Sequence, residues 1–138
     1  MTGIYEHSID AKGRLFIPAR LRQDLGDVFY VTISSEPCLS AYSLETWEIM
    51  KEKVSAMNRL EQKKARPIFA HAARCELDSQ GRILLPQKLR DFANLTKDVA
   101  IVGAGNCVEI WDRAAWDKTD AEETTPENIA QVFAELDF

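Results

Sequence analysis

Short runs at Tyr5–Ile9, with its apolar residues at the two ends, and Arg14–Ile17, apolar after its arginine, predict two strands, and the polar tetrapeptide DAKG between them predicts a tight turn. In such a turn the Asp10 side chain supports the backbone and Gly13 supplies a positive φ. Pro18 ends the second strand, because proline cannot donate to a ladder, and suits the start of a helix over Ala19–Leu25, stopped by Gly26. Two further strands follow at Val28–Ile33 and Cys38–Tyr42, and a helix opens at Leu44-Glu45.

The same succession then recurs. HSIDAKGRLFIPARLR (7–22) matches CELDSQGRILLPQKLR (75–90) at six of sixteen positions: Asp10/Asp78, Gly13/Gly81, Arg14/Arg82, Pro18/Pro86, Leu21/Leu89 and Arg22/Arg90. The offset is 68, and after one inserted residue it becomes 69, setting VTI (31–33) against AIV (100–102), Cys38 against Cys107, Tyr42 against Trp111 and Trp47 against Trp116. The second unit therefore predicts strands at Arg74–Leu77, Arg82–Leu85, Val99–Val102 and Val108–Trp111, a helix over Gln87–Ala93 stopped by Asn94, and a closing helix from Asp112-Arg113-Ala114.

Between the units, Glu45–Met57 and Glu61–Ala73 read as helical, with a break or helix start at Pro67. Beyond Trp116, Thr125-Pro126-Glu127-Asn128 reads as a capped helix start leading to an amphipathic helix with Ile129, Val132, Phe133 and Leu136. The predicted division is a first unit at 3–49, a helical spacer at 50–72, a second unit at 73–117 and an acidic tail at 118–138. A unit of about 45 residues buries little surface alone. The expected fold class is thus α+β, mostly β with short helices, in which the two units interlock as an intramolecular pseudo-dimer barrel.

The chain has 138 residues, 46% hydrophobic and 28% charged, the composition of a globular protein. No apolar run approaches the roughly 20 residues of a membrane-spanning helix. Three cysteines, Cys38, Cys75 and Cys107, with no CxxC pair and two isolated histidines, support neither a disulfide framework nor a zinc site. With no leader peptide evident, free cysteines point to the cytoplasm. No nucleophile, base and orienting group assemble into a catalytic set, so no enzyme activity, cofactor, metal or small-molecule substrate is expected.

Net charge is −5, which at first disfavours nucleic acid, yet the charge is unevenly placed. Residues 112–138 carry eight acids against Arg113 and Lys118, a net −6, which leaves +1 for the first 111 residues. Lys12, Arg14, Arg20 and Arg22 face only Asp10 between positions 10 and 22. DNA binding requires a local positive surface, not a basic whole. Each DxxGR turn sets a cation at a loop tip, Arg14 or Arg82, able to grip a phosphate or a guanine edge. An ion pair between the motif's aspartate and arginine, stiffening the turn, is the competing reading, and the two are compatible. Cys38, Cys107, Trp47, Trp111 and Trp116 occupy repeat-equivalent places, which suits core packing. Gly103-Ala104-Gly105 reads as a hairpin turn, and Lys63-Lys64-Arg66 as a solvated helix face.

The tandem D-x-x-G-R-[LI]-x-[IL]-P…LR, with PCLSAYSLETWE after the first copy and NCVEIWDRAAWD after the second, resembles the MraZ family of bacterial transcriptional regulators, built from two swapped-hairpin units of the AbrB/MazE type. The resemblance covers about residues 3–117. It implies a ring-shaped homo-oligomer, nucleoid-associated, that binds repeated double-stranded promoter elements and represses its own division and cell-wall operon. It places DNA contact on the DxxGR motifs: Arg14 first, then Lys12 and Arg82, with Arg20 and Arg22 weaker, and Asp10, Gly13, Asp78 and Gly81 orienting the loops. Gln80 stands where the first copy has Lys12, so the first loop is expected to dominate. The alternative is an antitoxin-like or scaffold oligomer that binds protein.

Overall fold

The computed structural model describes residues 1–138. Eight strands and six helices follow in the order β1 (Ile4–Ser8), β2 (Arg14–Phe16), α1 (Ala19–Leu25), β3 (Val28–Ile33), β4 (Leu39–Ser43), α2 (Leu44–Ser55), α3 (Arg59–Ala70), β5 (Ala73–Glu76), β6 (Arg82–Leu84), α4 (Gln87–Phe92), β7 (Asp98–Gly103), β8 (Val108–Asp112), α5 (Arg113–Glu123) and α6 (Pro126–Glu135). The fold is α+β, as the sequence predicts, with eight strands in two sheets and six helices.

The strands form a six-stranded antiparallel sheet in the order β1-β7-β8-β4-β3-β5 and a separate two-stranded ribbon, β2-β6. The DxxGR turn therefore joins strands of different sheets. β1 pairs with β7 and β5 with β3, so each unit lends its first strand to the other. The order is palindromic under exchange of units. Leu15 faces Ile83 in the ribbon, and Ser40 faces Glu109 between β4 and β8; both are repeat-equivalent pairs. A pseudo-two-fold axis passes through both.

Strand pairing corrects one sequence alignment. Ser8 lies opposite Asp98, and its counterpart Glu76 lies opposite Val28, so Val28 matches Asp98 and Val31 matches Ile101, not Ala100. The offset is 70 across β3 and β7. It returns to 69 at Leu39 and Val108, because the turn before β4 is one residue longer than the turn before β8.

One core serves both units. Leu15, Ile17, Phe29, Val31, Ile83, Leu85, Ile101 and Ile110 are each buried to 1% exposure or less in the same cluster. Each such side chain contributes about 1.5–3 kcal/mol on burial, and neither unit could supply these partners alone. Trp111 belongs to a smaller cluster with Cys38, Ala100 and Val102, with Trp116 packed on its edge. Trp47 is buried and stacks on Tyr30 with ring centroids 4.7 Å apart. The aromatic residues thus anchor packing.

The expected break at Pro67 does not occur. Asn58 caps α3, accepting from Glu61 N at 2.9 Å, and the helix runs unbroken through Pro67 to Ala70. Pro67 leaves Lys63 O without the N–H it would otherwise accept, and the helix carries that one lost bond without ending. His71 N closes the last turn on Pro67 O at 3.0 Å. The helix ends there, and Ala73 begins β5 instead of closing a helix. Thr125 caps α6 as expected, accepting from Asn128 N at 3.2 Å. No helix is long and apolar enough to cross a membrane.

Candidate nucleic-acid interface

The two loops are built alike. Asp10 Oδ1 accepts from Lys12 N and Arg14 N, both at 2.9 Å, and Oδ2 accepts from Arg14 Nε at 2.7 Å. Asp78 Oδ1 accepts from Gln80 N at 2.8 Å and Arg82 N at 2.9 Å, and Oδ2 from Arg82 Nε at 3.0 Å. Gly13 N donates to Asp10 O and Gly81 N to Asp78 O, each at 3.0 Å. The backbone N–H of Arg14, then its guanidinium, holds the Asp10 carboxyl below the ordinary aspartate range; Arg82 N–H does the same for Asp78. Both carboxylates stay ionised at neutral pH. The ion pair and the presented cation therefore coexist: each aspartate takes the Nε edge of its arginine and leaves the guanidinium tip outward.

The ribbon sets where these arginines face. Leu15 and Ile83 point into the core, so their neighbours Arg14, Phe16, Arg82 and Leu84 point out. Arg14 retains 35% side-chain exposure and Arg82 27%. Nη1 and Nη2 of Arg14 have no hydrogen bond or ion pair. Arg82 Nη1 lies 4.0 Å from Asp10 Oδ2, so the second arginine answers to two carboxylates. Lys12 and Gln80 stand exposed at the loop tips, and Arg20 is exposed on α1.

Arg22 takes a different place. Its Nε donates to Ile17 O at 2.8 Å and its guanidinium lies over the Phe16 ring, 4.9 Å from the centroid. There it abuts the opposite loop: a Cβ on Gly81 would fall 2.7 Å from Arg22 Nη1. Arg90 mirrors it, with Nε donating to Leu85 O at 3.0 Å and Nη2 lying 2.9 Å from where a Gly13 Cβ would stand. Both glycines also hold positive φ, +84° at Gly13 and +77° at Gly81. Neither Arg22 nor Arg90 pairs with a carboxylate. Sequence reasoning omitted Arg90, and with it the exposed Lys88; their repeat partners Arg22 and Arg20 were the available signal.

Other candidates fall away from this face. Cys38, Cys75 and Cys107 are buried, and burial pushes the Cys38 thiol up to about 12 and Cys75 up to about 11, so neither is a nucleophile at neutral pH. No three His, Cys, Asp or Glu side chains gather into a cluster that could hold a metal ion. The Gly103–Gly105 segment lies at the β7–β8 turn, where Gly105 N donates to Met1 O at 3.0 Å.

The arrangement offers a two-stranded ribbon with paired guanidinium tips, flanked by Lys12, Arg20 and Lys88. A two-stranded ribbon is an element that the major groove of B-DNA admits, and an arginine fork has the geometry to grip a phosphate or a guanine edge. Comparison with known proteins bears on the same chain. The family model described as the MraZ protein matches twice, over residues 1–67 and 68–136. A protein of Heliobacterium modesticaldum named transcriptional regulator MraZ is 45% identical over 99% of this chain and 98% of its own. Proteins of the same name from Carboxydothermus hydrogenoformans and Acetivibrio thermocellus are 44% and 43% identical, each over 97% of this chain and 96% of their own. With two tandem family matches and full-length relatives at this identity, the chain belongs to the MraZ family.

Proposed function

We propose that this protein is a sequence-specific DNA-binding transcriptional regulator that represses its own division and cell-wall operon, acting as a ring of copies on repeated promoter elements. The observation that carries DNA binding is the Arg14 guanidinium, fixed at Nε by Asp10 and free at both Nη atoms on the outer face of the ribbon. A fork so fixed loses little freedom on engaging a phosphate or the O6/N7 edge of guanine. The name shared by the relatives supports the regulatory role. DNA as partner places its work in the cytoplasm, on the nucleoid.

One copy presents few cations, so its affinity is modest and falls steeply with salt as condensed counterions are released. Linked copies on linked elements turn later contacts into intramolecular ones, and avidity follows. Element spacing then adds to the specificity of the bases that Arg14, Lys12 and Arg82 meet.

Footprinting on DNA upstream of the protein's own gene tests this reading. Protection of short repeats at regular spacing, weakening as salt rises, is the expected result. Uniform or absent protection in dilute buffer would leave the antitoxin-like or scaffold reading in its place.

A further inference from the structure

α6 follows α5 as α3 follows α2, so the two are repeat counterparts, yet they behave differently. α3 folds back beside α2 against β3: Thr32 Oγ1 donates to Ile68 O, and Phe69 meets Trp47 edge-on with ring centroids 5.4 Å apart. α6 stands clear of the body, and every residue from Pro126 to Phe138 is exposed. Ile129, Val132, Phe133 and Leu136 recur at helical spacing and share one face. A short helix in water gains most of its stability from packing such a face, and this face has nothing against it.

The counterparts also differ in charge. From Thr119 to Phe138 there are six carboxylates and no cation. α3 carries Arg59, Lys63, Lys64 and Arg66 against Glu61, and none of the four cations is in an ion pair. The groove between α2 and α3 is lined by Val54, Arg59, Gln62, Lys63, Arg66 and Phe69, and no carboxylate lines it. Beside it Trp47 and Tyr30 extend the apolar floor.

We propose that the acidic helix α6 of one copy docks in the basic, apolar-floored α2–α3 groove of a second copy. Charge complementarity selects this occupant: the stripe suits the floor, and Glu127 and Glu135 at the two ends of α6 suit the cationic rim. A phosphate backbone would match the rim and waste the floor. No residue of α6 lines the groove of its own copy, so the contact joins two unlike surfaces head-to-tail, and each copy keeps one of each to offer until the chain of contacts closes on itself. The inference rests on the ring reading above and gives that ring its joint.

The test uses two full-length variants, Ile129→Ser with Phe133→Ser for the helix and Arg59→Glu with Arg66→Glu for the groove, all at exposed positions. Light scattering after size-exclusion chromatography gives the mass, and circular dichroism confirms the fold. The parent chain is expected as a large oligomer and each variant as a monomer. An equimolar mixture is expected to give a dimer and nothing larger, since it pools one intact helix with one intact groove. Variants that keep the parent's mass would overturn this joint while leaving the ring standing. A monomeric parent would overturn the ring and the joint together. Monomeric variants that fail to pair when mixed would overturn the helix-to-groove assignment.

Discussion

The guanidinium of Arg82 in the second loop stands 4.0 Å from the carboxylate of Asp10 in the first. The contact joins two residues 72 positions apart in sequence, and it is not matched in reverse: Arg14 has no ion pair with Asp78. The near two-fold symmetry of the backbone is thus broken in its charges. Arg82 is held by two acids and is the less exposed; Arg14 is held by one. Together with Lys12 facing Gln80 across the repeat, this makes the first loop the stronger cation.

Because each unit completes its sheet with a strand of the other, the two halves are expected to unfold together. Leu15→Ala removes a side chain with no exposure from the centre of the shared core, and a loss of about 2–5 kcal/mol follows from the lost burial and the residual cavity. Urea titrations followed by circular dichroism and by tryptophan fluorescence should give coincident single transitions, shifted to lower urea in the variant. Two separated transitions would mean that the halves are independent.

Gly13 and Arg90 should be energetically coupled. Gly13→Ala sets a Cβ 2.9 Å from Arg90 Nη2 at a φ of +84°. The backbone part costs about 1–2 kcal/mol, and the steric part adds to it. In the double variant Gly13→Ala, Arg90→Ala the clash with Arg90 vanishes and only the 3.1 Å approach to Leu85 O remains, so its loss should fall short of the sum of the single losses by about 0.5 kcal/mol or more. Thermal or urea unfolding of the four proteins measures this; strict additivity would place Arg90 away from the loop in solution.

The loops should be indifferent to pH across the neutral range. Asp10 and Asp78 are both lowered from 3.8, chiefly by backbone N–H donors. A carboxyl lowered on folding contributes stability that is fully present above its unfolded value and is lost as pH falls through its folded value. Their share therefore persists from pH 8 down to about 5 and disappears only in stronger acid. An Asp10→Asn, Asp78→Asn variant is expected to lose less stability than the parent between about pH 4 and 2. Melting temperatures against pH decide this; parallel curves would remove the loop carboxylates from the acid transition.

Much of this was legible in the chain because the DxxGRxxxP motif is local. Turn, strand and helix start lie within a dozen residues, and two copies disclose the repeat. Non-local relations were not legible. That β1 pairs with β7 depends on how the units clasp, and no spacing within a unit encodes it. The match of Val31 to Ile101 was obscured because two insertions before β7 and one shorter turn after it nearly cancel. Arg90 was missed because its role lies in the opposite unit, against Gly13, while within its own unit it reads as one more helix cation. Pro67 misled because its cost falls on one bond of the preceding turn, and the Asn58 cap and the packing of α3 on β3 carry the helix through it.

Arg14→Ala compared with Arg82→Ala, titrated against the protein's own promoter fragment at one fixed salt concentration, tests the central claim most directly. Loss of a bidentate contact corresponds to about 1–3 kcal/mol per site, which repeated sites multiply. The account predicts that Arg14→Ala abolishes measurable binding, that Arg82→Ala weakens it less, and that circular dichroism and oligomer mass are unchanged in both. Promoter binding by Arg14→Ala equal to that of the parent would contradict it.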